Sequence, residues 1–202
     1  MGSGLHELDA GLTRAVRAAG FRLLLARGTP VTVEELVDAV GAGARSVRSA
    51  MDESVRHGSA RVDAEGRLVG TCGLSVVPHR HEILVGERRF WTWCAYDAVG
   101  ILGALRADGL IRTSDPESGQ RIEIAFTRGR TAEGSAVLFV PDFPSSSSVI
   151  DEWCPNANLF ESEANARAWA GRRGIAGEVL SLSQAVKVGA GDWGPLLTRG
   201  RA

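Results

Sequence analysis

Apolar residues change their spacing near Gly70, and this change constrains the fold more than any other feature of the chain. Before it they recur at helical intervals; after it they fall in short alternating or continuous blocks separated by Gly, Pro and Ser. From Leu8 to Arg27, Leu8, Leu12, Val16, Ala19, Phe21 and Leu23 to Leu25 keep a helical spacing that Gly28 ends. Thr32 and Glu35 form a capping-box pattern ahead of Leu36, Val37 and Val40, and Gly41 and Gly43 break that second helix. A third helix is predicted over about Ala44 to His57, followed by the hairpin Ala60-Arg61-Val62, turn Asp63 to Gly66, Arg67-Leu68-Val69. Three helices and a hairpin make residues 1–73 winged-helix-like.

Residues 74–202 read differently. Leu74 to Val77 and His81 to Val85 are predicted strands around Pro78, and Phe90 to Leu105 an apolar helix ended by Gly109. Arg121 to Phe126 alternates like a half-buried strand, and Ala136 to Val140 resembles a more buried one. Pro141 to Pro144 with Ser145 to Ser148 is a loop by composition. Leu159-Phe160 suggests a strand, Glu163 to Arg172 a helix, and Val179 to Val186 a strand end or last helix. Helices and strands are mixed without regular alternation, so the expected class is α+β: a winged-helix-like helical domain, then a mixed β-sheet domain with packed helices.

The predicted third helix carries Arg45, Arg48 and Arg56 beside Asp52 and Glu53. It could enter a DNA groove, or it could belong to a packing module whose arginines are solvated. With 23 basic and 24 acidic residues in 202, the net charge of -1 gives no general attraction to nucleic acid and favours the packing module. The polar start, Met1 to Glu7, lacks the pattern of a secretory signal, and no apolar run is long enough to span a bilayer. Three widely spaced cysteines form no disulfide framework, so free thiols in a reducing, cytoplasmic setting are expected.

Two of those cysteines stand in segments that suggest chemistry. Cys94 and Asp97 are three apart in Trp93-Cys94-Ala95-Tyr96-Asp97, so a helix would place both on one face. With Trp93, Val99, Ile101 and Leu102 nearby, Asp97 is expected in apolar surroundings, which disfavour the carboxylate and suit a proton carrier. A small buried thiol beside a backbone-bonded aspartate would look the same in sequence. Cys154, next to the serine loop and before Pro155, is expected to be reachable. Cys72, flanked by Thr71 and Gly73, has no acid or base close in sequence and reads as structural. Trp91 and Trp93 are either pocket walls or ordinary core aromatics.

Together, Pro78-His79-Arg80-His81-Glu82, Trp93 to Asp97, Cys154, Asn158-Leu159-Phe160 and Trp169 resemble the organomercurial (alkylmercury) lyase family over about residues 74–188. The resemblance implies a catalytic trio of Cys94, Asp97 and Cys154, with the thiols, assisted by Asp97, holding mercury while its bond to carbon is protonated. It implies an organomercurial substrate and no separate cofactor. Hg(II) would then pass to small thiols or a mercuric reductase. Some relatives carry a further cysteine between the catalytic pair; Arg112 to Glu117 has none, and Cys72 is extra. A thiol metal-binding protein, a metal-sensing regulator, or a lyase-fold enzyme with another substrate are the alternatives.

Overall fold

The computed structural model describes residues 11–132, 134–143 and 148–198. Helix α1 is Gly11–Arg27, and the expected start at Leu8 lies outside the described residues. Helix α2, Val33–Val40, begins at the anticipated box: Thr32 Oγ1 accepts from the Glu35 amide, and Glu35 accepts from the Thr32 amide. Helix α3 is Ala44–Arg56, and strands β1, Ala60–Val62, and β2, Leu68–Thr71, close the hairpin.

That hairpin does not stand apart. Strand β2 pairs with β3, Leu74–Ser75, and β3 with β5, Arg88–Thr92, so the sheet is continuous across residue 73. Strands β4 (His81–Val85), β6 (Gly109–Ser114), β7 (Arg121–Thr127) and β8 (Arg130–Thr131) complete an eight-stranded antiparallel sheet in the order β1-β2-β3-β5-β4-β6-β7-β8. A second antiparallel sheet sets β9 (Val137–Pro141) between β10 (Asn158–Phe160) and β11 (Gly177–Ser181). The mixture of helices with antiparallel sheet is the expected α+β class.

Helix α4, Ala95–Leu105, lies at the centre, with every residue from Ala95 to Gly103 buried. Such all-round burial is why it shows no polar face. It crosses α6, Leu182–Leu197, at Gly100 and Gly189; a Cβ built on Gly189 would lie 2.6 Å from the Gly100 Cα, so neither position has room for a side chain. Helix α5, Glu163–Arg173, packs Ala166, Trp169 and Ala170 with Phe139 and Phe160 in a smaller satellite core.

Three expectations need correction. The apolar run Phe90 to Leu105 is not one helix: Phe90 to Thr92 belong to β5, where Phe90 and Thr92 are buried and Arg89 exposed, and the helix starts only at Ala95. Buried strand and buried helix look alike when both are apolar. Gly109 does not end α4, which stops at Arg106 in a left-handed conformation (φ 51°); Gly109 opens β6, a strand without a clear alternating signal. Val76 and Val77 lie beyond the two-residue β3.

Candidate active site

Cys94 sits at a change of backbone direction, as the N-cap of α4 with extended dihedrals (φ −141°, ψ 172°). Its amide donates to Asp97 Oδ2 at 2.9 Å, while the Asp97 amide donates to Cys94 Sγ at 3.4 Å. This is a capping box made with a thiol in place of a hydroxyl. Cys94 and Asp97 are therefore adjacent because they cap one helix, rather than because they share its face. Thr92 Oγ1 donates to the Cys94 carbonyl at 2.8 Å and fixes the approach from β5.

Cys154 comes from a segment remote in sequence. A π-helical turn, Val149–Trp153, delivers the chain to a 3-10 turn, Cys154–Asn156, that Ala157 closes onto the Cys154 carbonyl. The Ala95 amide at the start of α4 donates to the Ala157 carbonyl, which ties the two cysteine segments together. Asn158, fully buried, donates to the Pro155 carbonyl and accepts from Arg80 Nη1, each at 2.9 Å. Arg80 of the Pro78 to Glu82 segment thus braces the Cys154 turn.

The two Sγ atoms and a carboxylate oxygen of Asp97 lie within 4.8 Å of one another. All three side chains are buried: Cys94 is 0%, Cys154 1% and Asp97 6% exposed. The expected reachability of Cys154 is corrected, because its side chain is buried within the turn. Burial raises Asp97 from its ordinary 3.8 to about 6, against hydrogen bonds from Cys94 that favour the carboxylate. Burial also raises Cys94 well above the usual thiol range, helped by its hydrogen bond to Cys154 and the charge of Asp97. For Cys154, the hydrogen bond from Cys94 favours the thiolate, but burial and the charges of Asp97 and Asp151 outweigh it, and its value is raised. Two soft sulfur donors with one oxygen suit a soft metal, and a carboxyl raised towards neutral pH beside them can take up and return a proton.

Asp97 and Cys154 face a cavity of about 60 Å³, whereas Cys94 lies behind them. Trp93, Trp153 and Trp193 wall it. Trp91, the other candidate wall, instead lines a separate groove with His79 and Arg112. Gly73, at φ 82°, packs directly on Asp97: a Cβ there would come within 2.3 Å of the Asp97 Cγ. Cys72 also lines the cavity, buried and at φ 50°, and its carbonyl accepts from Trp193 Nε1 at 2.8 Å.

A family model for alkylmercury lyase (MerB) matches residues 74–193. The chain belongs to the alkylmercury lyase family. It is 24% identical over 169 residues to an alkylmercury lyase of Bacillus cereus, covering 82% of this chain and 75% of that one. A Streptomyces lividans alkylmercury lyase is 26% identical over 171 residues, covering 82% and 76%. Among solved structures, the crystal structure of the mercury-bound form of MerB2 superposes with a TM-score of 0.84 at 25% identity, over 95% of this chain and 94% of that one.

Within this alkylmercury lyase fold, residues the sequence did not single out complete the cavity. Trp193 on α6, Trp153 beside Cys154, Arg17 on α1, and Gly58 and Ser59 in the turn after α3 all line it. Only Trp153 adjoins a candidate residue. Arg17 and Trp193 reach the site through tertiary packing, which no local pattern encodes.

Proposed function

We propose that this protein cleaves the carbon-mercury bond of an organomercurial by protonolysis, giving a hydrocarbon and Hg(II). One observation carries the reading: two buried thiols and one carboxyl converge within 4.8 Å beside a tryptophan-walled cavity. Cys154 faces the cavity and Cys94 does not, so Cys154 takes mercury first, displacing X from R–Hg–X while its own proton leaves with X. Asp97, ionised at neutral pH, takes the Cys94 proton. The second thiolate then binds mercury and weakens the bond to carbon. Asp97 returns the proton to that carbon, R–H departs, and Hg(II) remains on Cys94 and Cys154. The electrons of the carbon-mercury bond go to the new C–H bond, so no redox partner or separate cofactor is called for.

Small thiols or a mercuric reductase would then remove the Hg(II), in a cytoplasmic setting. Among the described residues no helix is long and apolar enough to cross a membrane. Residues 1–73 in this reading are a winged-helix-like cover for a catalytic unit of residues 74–202, with packing rather than nucleic-acid binding as their role. Arg61 pairs with Asp151 at 2.8 Å, and Arg17, Gly58 and Ser59 enclose the cavity.

Incubation with methylmercury should release methane and leave one Hg(II) per chain, and Cys94→Ser and Cys154→Ser should each abolish turnover. Tight binding of methylmercury by the wild type with no methane would point instead to a thiol metal-binding protein.

A further inference from the structure

The cavity that Asp97 and Cys154 face is small, and three tryptophans wall it. If the chain is a carbon-mercury lyase, the carbon that receives the Asp97 proton must lie beside the Asp97 carboxylate, and the organic group must occupy this space. Its volume is about 60 Å³. An apolar protein cavity that accommodates benzene measures about 150 Å³.

The walls are held on more than one side. Trp193 donates from Nε1 to the Cys72 carbonyl at 2.8 Å, and its ring meets Tyr96 at 5.4 Å between centroids. The same ring lies where a Cβ on Gly100 would be, 2.4 Å from its Cε3, so it fills the notch at the α4–α6 crossing. Trp153 donates from Nε1 to the Pro141 carbonyl at 3.0 Å and meets the other side of the cluster through Tyr96, 5.8 Å away. Tyr96 itself is anchored by its hydroxyl to Asp192 Oδ2 at 2.6 Å. Displacing either indole breaks a buried hydrogen bond and an aromatic contact together. Val149, half-buried and unbonded through its side chain, is the softer part of the lining.

We infer that the site selects organomercurials whose carbon group is a short alkyl chain, with Trp153 and Trp193 setting the size limit. This rests on the lyase reading above. Longer chains and aryl rings would have to push Val149 outward or unseat an indole before their carbon reached Asp97.

The test is kcat/KM across methyl-, ethyl-, n-butyl- and n-hexylmercury, in which the group attacked changes length with little change at the reacting carbon. A misfitted methylene in an apolar pocket is worth at least about tenfold, so kcat/KM should fall by that factor or more between ethyl and n-butyl. Val149→Ala, which removes volume without touching a hydrogen bond, and Trp153→Phe should each restore the longer substrates relative to methyl. A flat profile across the wild-type series overturns the size limit while leaving the lyase reading intact. Unaltered selectivity in both variants, each shown to be folded, overturns the assignment of these walls. Hydrocarbon release from no member of the series overturns both the size limit and the lyase reading.

Discussion

Asp97 keeps its proton to about pH 6 because burial penalises the carboxylate more than the hydrogen bonds from Cys94 support it. An unfolded chain would release that proton near 3.8, so between 3.8 and about 6 the native protein holds more protons and its stability falls as pH rises. Above pH 6 the penalty is complete, on the order of 3 kcal/mol. Asp97→Asn removes it. The variant should be more stable than the wild type at pH 7, with the advantage shrinking to nothing below pH 4, as read by denaturant unfolding at both pH values. His81, buried and held neutral to about 3 mainly by burial, gives a slope of the opposite sign in both proteins and cancels in their difference. A wild type that is the more stable at pH 7 would show that Asp97 does not carry this penalty. The apolar neighbours of Asp97 were readable in the sequence, and so was the direction of its shift. Why Asp97 and Cys94 meet was not: the cap geometry depends on Phe90 to Thr92 leaving as a strand, and apolar composition alone does not tell strand from helix.

At the scale of elements, the segments that carried a local stop signal were legible. Thr32 with Glu35 and Gly41 bounded α2, and the alternation of Arg121 to Phe126 marked β7. Elements whose boundaries depend on what packs against them were not: Arg106 ends α4 without a glycine, and β6 pairs in the middle of the sheet with a mixed pattern. The α4–α6 crossing belongs to the same group, since Gly100 and Gly189 meet only in three dimensions. Gly100→Ala would place a methyl 2.4 Å from the Trp193 ring. Overpacking of this kind costs about 1–3 kcal/mol, and here the yielding group is a cavity wall, so the variant should lose stability in that range and also turnover. Wild-type stability by chemical denaturation would show that the crossing is looser than described.

For the molecule as a whole, the first helices and the Cys154 segment close over thiols that are 0% and 1% exposed, so substrate must enter by a local opening. Pro144 to Ser147 lie outside the described residues, and the turn that follows them, Val149–Trp153, is pinned to β1 by Arg61 and Asp151. The pair is 39% and 62% exposed, and such surface bridges contribute at most about 1 kcal/mol, so Arg61→Ala should speed labelling of Cys154 by a thiol reagent up to about fivefold. Unchanged labelling would mean that opening occurs elsewhere.

The claim that the site breaks a bond rather than merely holding a metal turns on Asp97, and single-turnover release of methane from methylmercury by Asp97→Asn tests it most directly. Two thiols suffice for capture, so the variant should bind methylmercury through Cys94 and Cys154, and mass measurement of the intact chain should show the adduct. Delivery of the proton to carbon by a positioned acid is worth about 10²- to 10⁴-fold, and methane release should slow by that factor. Methane released by Asp97→Asn at the wild-type rate would contradict the role of Asp97 as the proton carrier.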